Sequence, residues 1–295
     1  MRVIYDLFRD GLSAINEAAE RLANARQQVS TGRRVNVASD DPLAVQRAIG
    51  EHATIAAVDA YTRTSDAASA RLSAADNVLN SIVDKITAAL VAGSSARGSA
   101  VTPSARAAAA QAVRGLSASL LGDINTQFNG SYLFSGTAAN TPAYALVGGA
   151  WQYQGDGATQ QVEVERGRLV SVSFDGHRIV KGTDSSDLFT ALDDLAASID
   201  AGSDAGVGTA LASLDRAFDR ALQAQGRLGA DERGVEDATV RLSALRVAAD
   251  ARRSKLEDAN MAEAVSRLTQ ADTAYKAALG AVSSAERVSL LDYLR

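Results

Sequence analysis

Apolar residues recur every three or four positions over long stretches of this chain. Leu72, Ala75, Leu79, Ile82, Ile86 and Leu90 form one such stripe, and Leu12, Ile15, Leu22 and Val29 form an earlier one. This spacing predicts long amphipathic helices that pack lengthwise against others. Gly93 and "GSSARGSAVTPSA" predict a break, with Ser104 capping a further helix that runs towards Gln127. The last part repeats the pattern with Val235, Ala238, Leu242, Leu245, Ala249 and Leu256, then Val265, Leu268, Tyr275, Leu279 and Val282.

The middle follows a period of two. "QQVEVE" and "LVSVSF" alternate apolar and polar positions on either side of Gly167, with Val162, Val164, Val170, Val172 and Phe174 as inward positions, which predicts a β-hairpin. "DGHR" at 175–178 predicts a second tight turn. From Ser185 the helical pattern returns, with Leu188, Leu192, Leu195 and Ile199 on one face and Gly202 at the end. The fold class is therefore mainly α with a β-rich insert: a long antiparallel helical bundle or coiled coil built by the N- and C-terminal segments, around a small central β domain.

With 295 residues and 46% hydrophobic content the chain is long enough for a sizeable core. It carries 35 acidic against 30 basic residues without a run of five or more like charges, so a nucleic-acid partner is not expected. There is no cysteine, which excludes disulfides and thiolate chemistry, and His52 and His177 cannot form a histidine metal cluster alone. Each is expected at the surface, His52 on a helix and His177 in a turn. No stretch approaches the length of about 20 apolar residues that crosses a bilayer. Asp6 and Asp10 interrupt what would be a signal-peptide core, so the protein is expected either to stay in the cytosol or to leave without a cleaved signal.

One segment looks like a site. "GRRVNVASDDP", residues 32–42, places Arg33 and Arg34 beside Asp40 and Asp41. The two carboxylates could hold a divalent metal or act as an acid and base, and the two guanidinium groups could clamp a phosphate. The structural reading accounts for more. Gly32 suits the end of a helix, Asp41 suits an N-cap, and Pro42 suits the first helical position. Arg33 and Arg34 then pair with Asp40 and Asp41 in the same subunit or the next. No nucleophile-elbow, Walker or dinucleotide-binding pattern is present, and neither an enzyme activity nor a cofactor or metal is expected. At the two ends, "VIYDLF" and "VSLLDYLR" put large apolar residues where single domains usually fray, which reads as interface.

"VSTGRRVNVASDDPLAVQRAI" resembles the N-terminal signature of bacterial flagellins and their relatives, and "LEDANMAEAVSRLTQADTAYKAALGAVSSAERVSLLDYLR" resembles the matching C-terminal region. Within that family, Pro42, the motif Tyr132-Leu133-Phe134-Ser135-Gly136-Thr137 and the closing "SLLDYLR" are similar to the subfamily at the junction of flagellar hook and filament. The resemblance implies a subunit exported through the flagellar type III apparatus, in which terminal helices form an inner tube. Residues 1–30 plus 260–295 would be that inner part, 40–135 plus 185–258 a surrounding helical domain, and 138–183 an outward β-rich insert. Ile4, Leu7, Leu290, Leu291 and Leu294 would make tube contacts, and Gly32, Arg33, Arg34, Asp40, Asp41 and Pro42 the connector between inner and middle parts. Implied partners are other copies in a junction layer, the first hook-associated protein on one side, flagellin on the other and a cytosolic export chaperone. Filament-forming flagellin is the nearest alternative, and a metal-dependent enzyme using Asp40 and Asp41 a more distant one.

Overall fold

The computed structural model describes the backbone of residues 2–293 and the side chains of 9–284. Four long helices dominate: α1 (Arg2–Thr31), α2 (Pro42–Ser95), α6 (Asp204–Glu257) and α7 (Met261–Tyr293). Between α2 and α6 lie α3 (Pro103–Ile124), three two-stranded antiparallel hairpins and the shorter helices α4 (Gly176–Val180) and α5 (Leu188–Asp200). The hairpins pair β1 (Gln127–Phe128) with β2 (Ser131–Tyr132), β3 (Tyr144–Val147) with β4 (Ala150–Tyr153), and β5 (Gln161–Glu165) with β6 (Arg168–Ser171). The fold is thus mainly helical with a β-rich insert. Two compact units divide the chain, residues 1–58 with 244–295 and residues 59–243, and the boundaries fall inside α2 and α6.

In the second unit one apolar core joins four helices to the hairpins. Leu72, Leu79, Ile82 and Ile86 of α2, Leu120 and Ile124 of α3, Leu188, Leu192 and Leu195 of α5, and Leu214 and Leu228 of α6 are all buried. The stripe from Leu72 to Ile86 is the face that its spacing predicts. Val164, Val170 and Val172 are also buried and Gly167 turns the β5–β6 hairpin at φ +77°, while Val162 and Phe174 are half-buried. Gly202, at φ +66°, ends α5 in a Schellman arrangement: its N–H donates to Ile199 and that of Ser203 donates to Ser198.

Local departures from the expected pattern have physical causes. Gly93 does not break α2, which continues to Ser95; a Cβ there would stand 2.8 Å from Leu211 and 2.9 Å from Leu195, so the glycine admits close neighbours. The cap of α3 is Thr102, two residues before Ser104, because Pro103 fills the first helical position and Thr102 Oγ1 accepts the Ala105 amide at 3.3 Å. That helix stops at Ile124, short of Gln127. "DGHR" enters the short helix α4 instead of a hairpin turn, since the Asp175 carboxylate caps the His177 amide at 2.9 Å. His177 is half-buried, its ring 5.7 Å from that of Tyr153.

In the first unit α1 packs along α7. Ala18, Leu22 and Ala25 are buried on α1 and Ala264 on α7, and Gly11 lies so near Val282 that a Cβ would meet it at 2.9 Å. Two helices cannot cover all the apolar positions of their stripes: Leu12, Val265 and Leu279 remain exposed, as does Leu245 on α6.

Candidate functional site: a cross-stitched connector

The charged segment singled out in the sequence folds against the break between α6 and α7. Gly32, at φ +67°, follows the last residue of α1 and donates its N–H to Gln28. A left-handed backbone here suits glycine, because any Cβ would strain it. The chain then runs antiparallel to the α6–α7 linker, with Arg33 bridged to Asp258. The Arg34 N–H donates to the Glu257 carbonyl at 2.7 Å and the Ala259 N–H donates to the Gly32 carbonyl at 2.8 Å. The interruptions in the two halves of the chain therefore satisfy each other's main-chain groups.

Side chains lock this arrangement. Arg34 donates from Nη2 to the Leu256 carbonyl at 2.8 Å and from Nη1 to Asp41 Oδ2 at 3.1 Å. Asp41 Oδ1 accepts the Ala44 amide at 3.0 Å, so Asp41 caps α2 as Pro42 begins it. Asp40 has a different job: its Oδ2 accepts the amides of Asn36 at 2.8 Å and Val37 at 3.0 Å, closing a tight turn. These bonds hold both carboxyls below the ordinary aspartate value, Asp40 chiefly through Val37 and then Asn36, Asp41 chiefly through Ala44 and then Arg34. Of the four charges, the structure brings together Arg34 and Asp41. Arg33 is exposed and makes no ion pair among the described residues, and Asp40 faces main chain.

The arrangement leaves little for metal or acid–base chemistry, since each aspartate is committed to amides. Among the described residues no group of three or more His, Asp and Glu is placed to hold a metal. A cleft of about 180 Å³ lies beside the connector, lined by Val35, Val37, Ala48, Ile49, His52 and Glu257 among others.

The sequence did not reveal the far wall of this site. Arg252 makes a bidentate pair with Glu51 at 2.7 and 2.9 Å, which holds the Glu51 carboxyl below its ordinary value. His52 Nε2 lies 2.7 Å from Glu257 Oε1, although the two residues are 205 positions apart in sequence. Asn260 caps α7 by accepting the Ala262 amide at 3.1 Å, and an Asn just ahead of a helical stripe was the one available signal.

The motif at 132–137 builds the second unit. Leu133, Phe134 and Ser135 are fully buried. Their main chain is shared among neighbours: the Phe174 amide donates to the Leu133 carbonyl at 3.1 Å, and the Gly176 amide to that of Phe134 at 2.8 Å. Tyr132 is half-buried, and its carbonyl accepts from Arg71. Gly136, at φ +72°, sits where a Cβ would fall 2.2 Å from Asp156 Oδ1, while the Thr137 amide and hydroxyl both donate to the Asp156 carboxylate. The motif is a knot of packing and shared hydrogen bonds. Ile4, Leu7, Leu290 and Leu291 fall on α1 and α7, but their side chains, like all of Leu294, lie outside the described residues.

Comparison with known proteins agrees with this architecture. Residues 10–139 match the bacterial flagellin N-terminal helical region, and residues 211–294 match the bacterial flagellin C-terminal helical region. Flagellar hook-associated protein 3 of Escherichia coli (strain K12) is 27% identical over 224 residues, covering 71% of each chain. A flagellar hook-associated protein structure from Vibrio parahaemolyticus superposes with a TM-score of 0.70 at 20% identity, covering 74% of this chain and all of that one. The flagellar junction protein FlgL from Legionella pneumophila gives a TM-score of 0.63 at 15% identity, covering 72% and 100%. These two structures share the fold. Matched at both ends by the helical regions of bacterial flagellin, the chain belongs to the bacterial flagellin family.

Proposed function

We propose that the protein is a structural subunit of the bacterial flagellum that assembles as the layer joining hook to filament. The observation that carries this reading is its likeness to a protein named flagellar hook-associated protein 3 over 71% of both chains. The motif from Tyr132 to Thr137, which the subfamily resemblance singled out, supports it, since Leu133, Phe134 and Ser135 are fully buried in the second unit.

On this reading, residues 1–30 with 260–295 form the inner tube, 40–135 with 185–258 the helical domain around it, and 138–183 the outward insert. Ile4, Leu7, Leu290, Leu291 and Leu294 bury tube contacts. The exposed Leu12, Val265 and Leu279 on the described part of α1 and α7 support this, because neighbouring copies would cover them. Gly32, Arg33, Arg34, Asp40, Asp41 and Pro42 set how inner and middle parts meet. The layer contacts the first hook-associated protein on one side and flagellin on the other, after export with a cytosolic chaperone and without cleavage of a signal.

A strain lacking the protein should build hooks without filaments and shed flagellin into the medium. Normal filaments in that strain would overturn the reading, as would purified protein that grows long filaments from seeds, the behaviour of a filament-forming flagellin. Deleting residues 1–10 or 286–295 should leave the second unit folded and abolish filament growth.

A further inference from the structure

Beside the β5–β6 hairpin, the α2 face bearing Ala60, Arg63, Thr64 and Ala67 forms an open groove of about 490 Å³ with Val162 and Val172. The hairpin is fixed to α2 by Ser65 Oγ, which donates to the Val164 carbonyl at 3.1 Å, and by Arg71, whose Nε donates to the Val172 carbonyl. Hairpin and helix therefore hold the groove open as a built surface. Its helical wall carries small side chains, which lets the ridge of another helix approach closely. Its one charge, Arg63, is exposed and makes no ion pair among the described residues.

The same unit displays a complementary ridge elsewhere. On α6, Leu222 is 43% exposed, and Asp219 and Asp215 precede it by one and two turns on the same face. Both aspartates are exposed and make no ion pair among the described residues. Other exposed apolar side chains of the unit have the wrong company. Leu169 is flanked by Arg166 and Arg168 and its cross-strand partner Glu163 accepts the Gly167 amide, while Leu146 and Val147 have no acid in their hairpin. Val91 has only Thr87, Ala88, Ser94 and Ser95 one turn away, and Val240, with Glu236 one turn before it, also adjoins Arg241 while Asp237 already faces Arg168 at 4.0 Å.

We propose that the groove receives the Asp215–Asp219–Leu222 ridge of a second copy, with Leu222 between hairpin and helix and Asp219 against Arg63. Groove and ridge are different surfaces, so the contact is head-to-tail. Such contacts propagate around a ring or helix instead of closing on a dimer. The inference rests on the assembly reading above and names the surfaces that would carry it.

The test uses the full chain, and the absence of native cysteine makes it clean. Oxidation of mixed Thr64→Cys and Leu222→Cys copies at high concentration should give a disulfide-linked pair that requires both variants. In a strain lacking the protein, Arg63→Glu or Asp219→Arg alone should lower the number of filaments at least tenfold, and the double variant should restore it. Circular dichroism and thermal midpoints establish that each variant folds. Folded single variants that support normal filaments, a double variant no better than either single, or disulfides formed equally well by one variant alone would overturn the contact. If the unaltered chain restores filaments and the reversals do nothing, the inference fails and the junction reading stands. If removing the protein leaves filaments intact, the junction reading fails, and the mixed disulfide still decides the contact.

Discussion

Arg34 is joined to Glu257 through the main chain, N–H to carbonyl at 2.7 Å, and its guanidinium reaches the Leu256 carbonyl, 222 residues away in sequence. One residue thus ties the start of the connector to the end of α6 by two independent bonds. Replacing it with alanine keeps the first bond and removes the second, along with the pair to Asp41. Arg34→Ala should speed amide exchange at Ala259, whose N–H donates to Gly32, several-fold, while the amides of β5 and β6 stay protected. Arg34→Lys should recover part of the protection, because an ammonium group lacks the fork that serves two acceptors.

Acid should loosen the connector. Asp40 and Asp41 both have folded-state values lowered from 3.8 by the hydrogen bonds they accept. A lowered carboxyl contributes stability that is present above its unfolded value and lost as the pH falls through the folded one. Exchange protection at Asn36, Val37 and Ala44 should therefore hold down to pH 3.8 and decline below it. Asp40→Asn retains an acceptor oxygen and should flatten the dependence at Asn36 and Val37. Protection at those two amides that declines well above pH 3.8 would count against this account.

Two glycines with the same backbone sign should respond differently to alanine. Gly130, at φ +78°, has nothing within 4 Å of an added Cβ, so Gly130→Ala should cost about 1–2 kcal/mol from the left-handed backbone. At Gly136 the Cβ would also stand 2.8 Å from the Ala158 carbonyl, besides its clash with Asp156. Gly136→Ala should cost about 3 kcal/mol or more in denaturant unfolding. Equal costs at the two sites would show that the loop around Asp156 yields freely.

Helical glycines offer the converse comparison. Gly226 sits in α6 with open space around it, and Gly226→Ala should stabilise by up to about 1 kcal/mol through helix propensity. At Gly93 the same gain meets Leu211 and Leu195 at under 3 Å, and overpacking of about 1–3 kcal/mol should win. Thermal midpoints of the two variants should move in opposite directions.

These contrasts mark what can be read from sequence. The Leu72-to-Ile86 face and the valine alternation around Gly167 are local periodicities, and the helix and the hairpin form there, although β6 ends at Ser171 and leaves Val172 and Phe174 beyond the ladder. Gly93 misleads because its meaning lies in Leu195 and Leu211, which are distant in sequence. Ser104 misleads because Pro103, directly before it, needs the first helical position and so moves the cap to Thr102. At the connector, the turn chemistry of Gly32, Asp41 and Pro42 is visible in the residues themselves. The partners of Arg34 and His52 are main-chain or side-chain atoms near residue 257, and no local pattern announces a contact between the chain's two halves.

The second unit is drawn from one uninterrupted stretch, residues 59–243, whereas the first is assembled from segments at the two ends. Loop closure costs more as the enclosed chain lengthens, so the order of folding follows from the order of residues. The inner stretch can condense first through its hairpins and through contacts such as the α3–α5 pair, which enclose far less chain than the packing of α1 along α7. Its collapse shortens the effective distance that the outer segments must span. The stitch from Arg34 to Glu257 is then expected to be among the last bonds to form and the first to open, so that the two ends of the chain can come apart while the stretch between them stays folded.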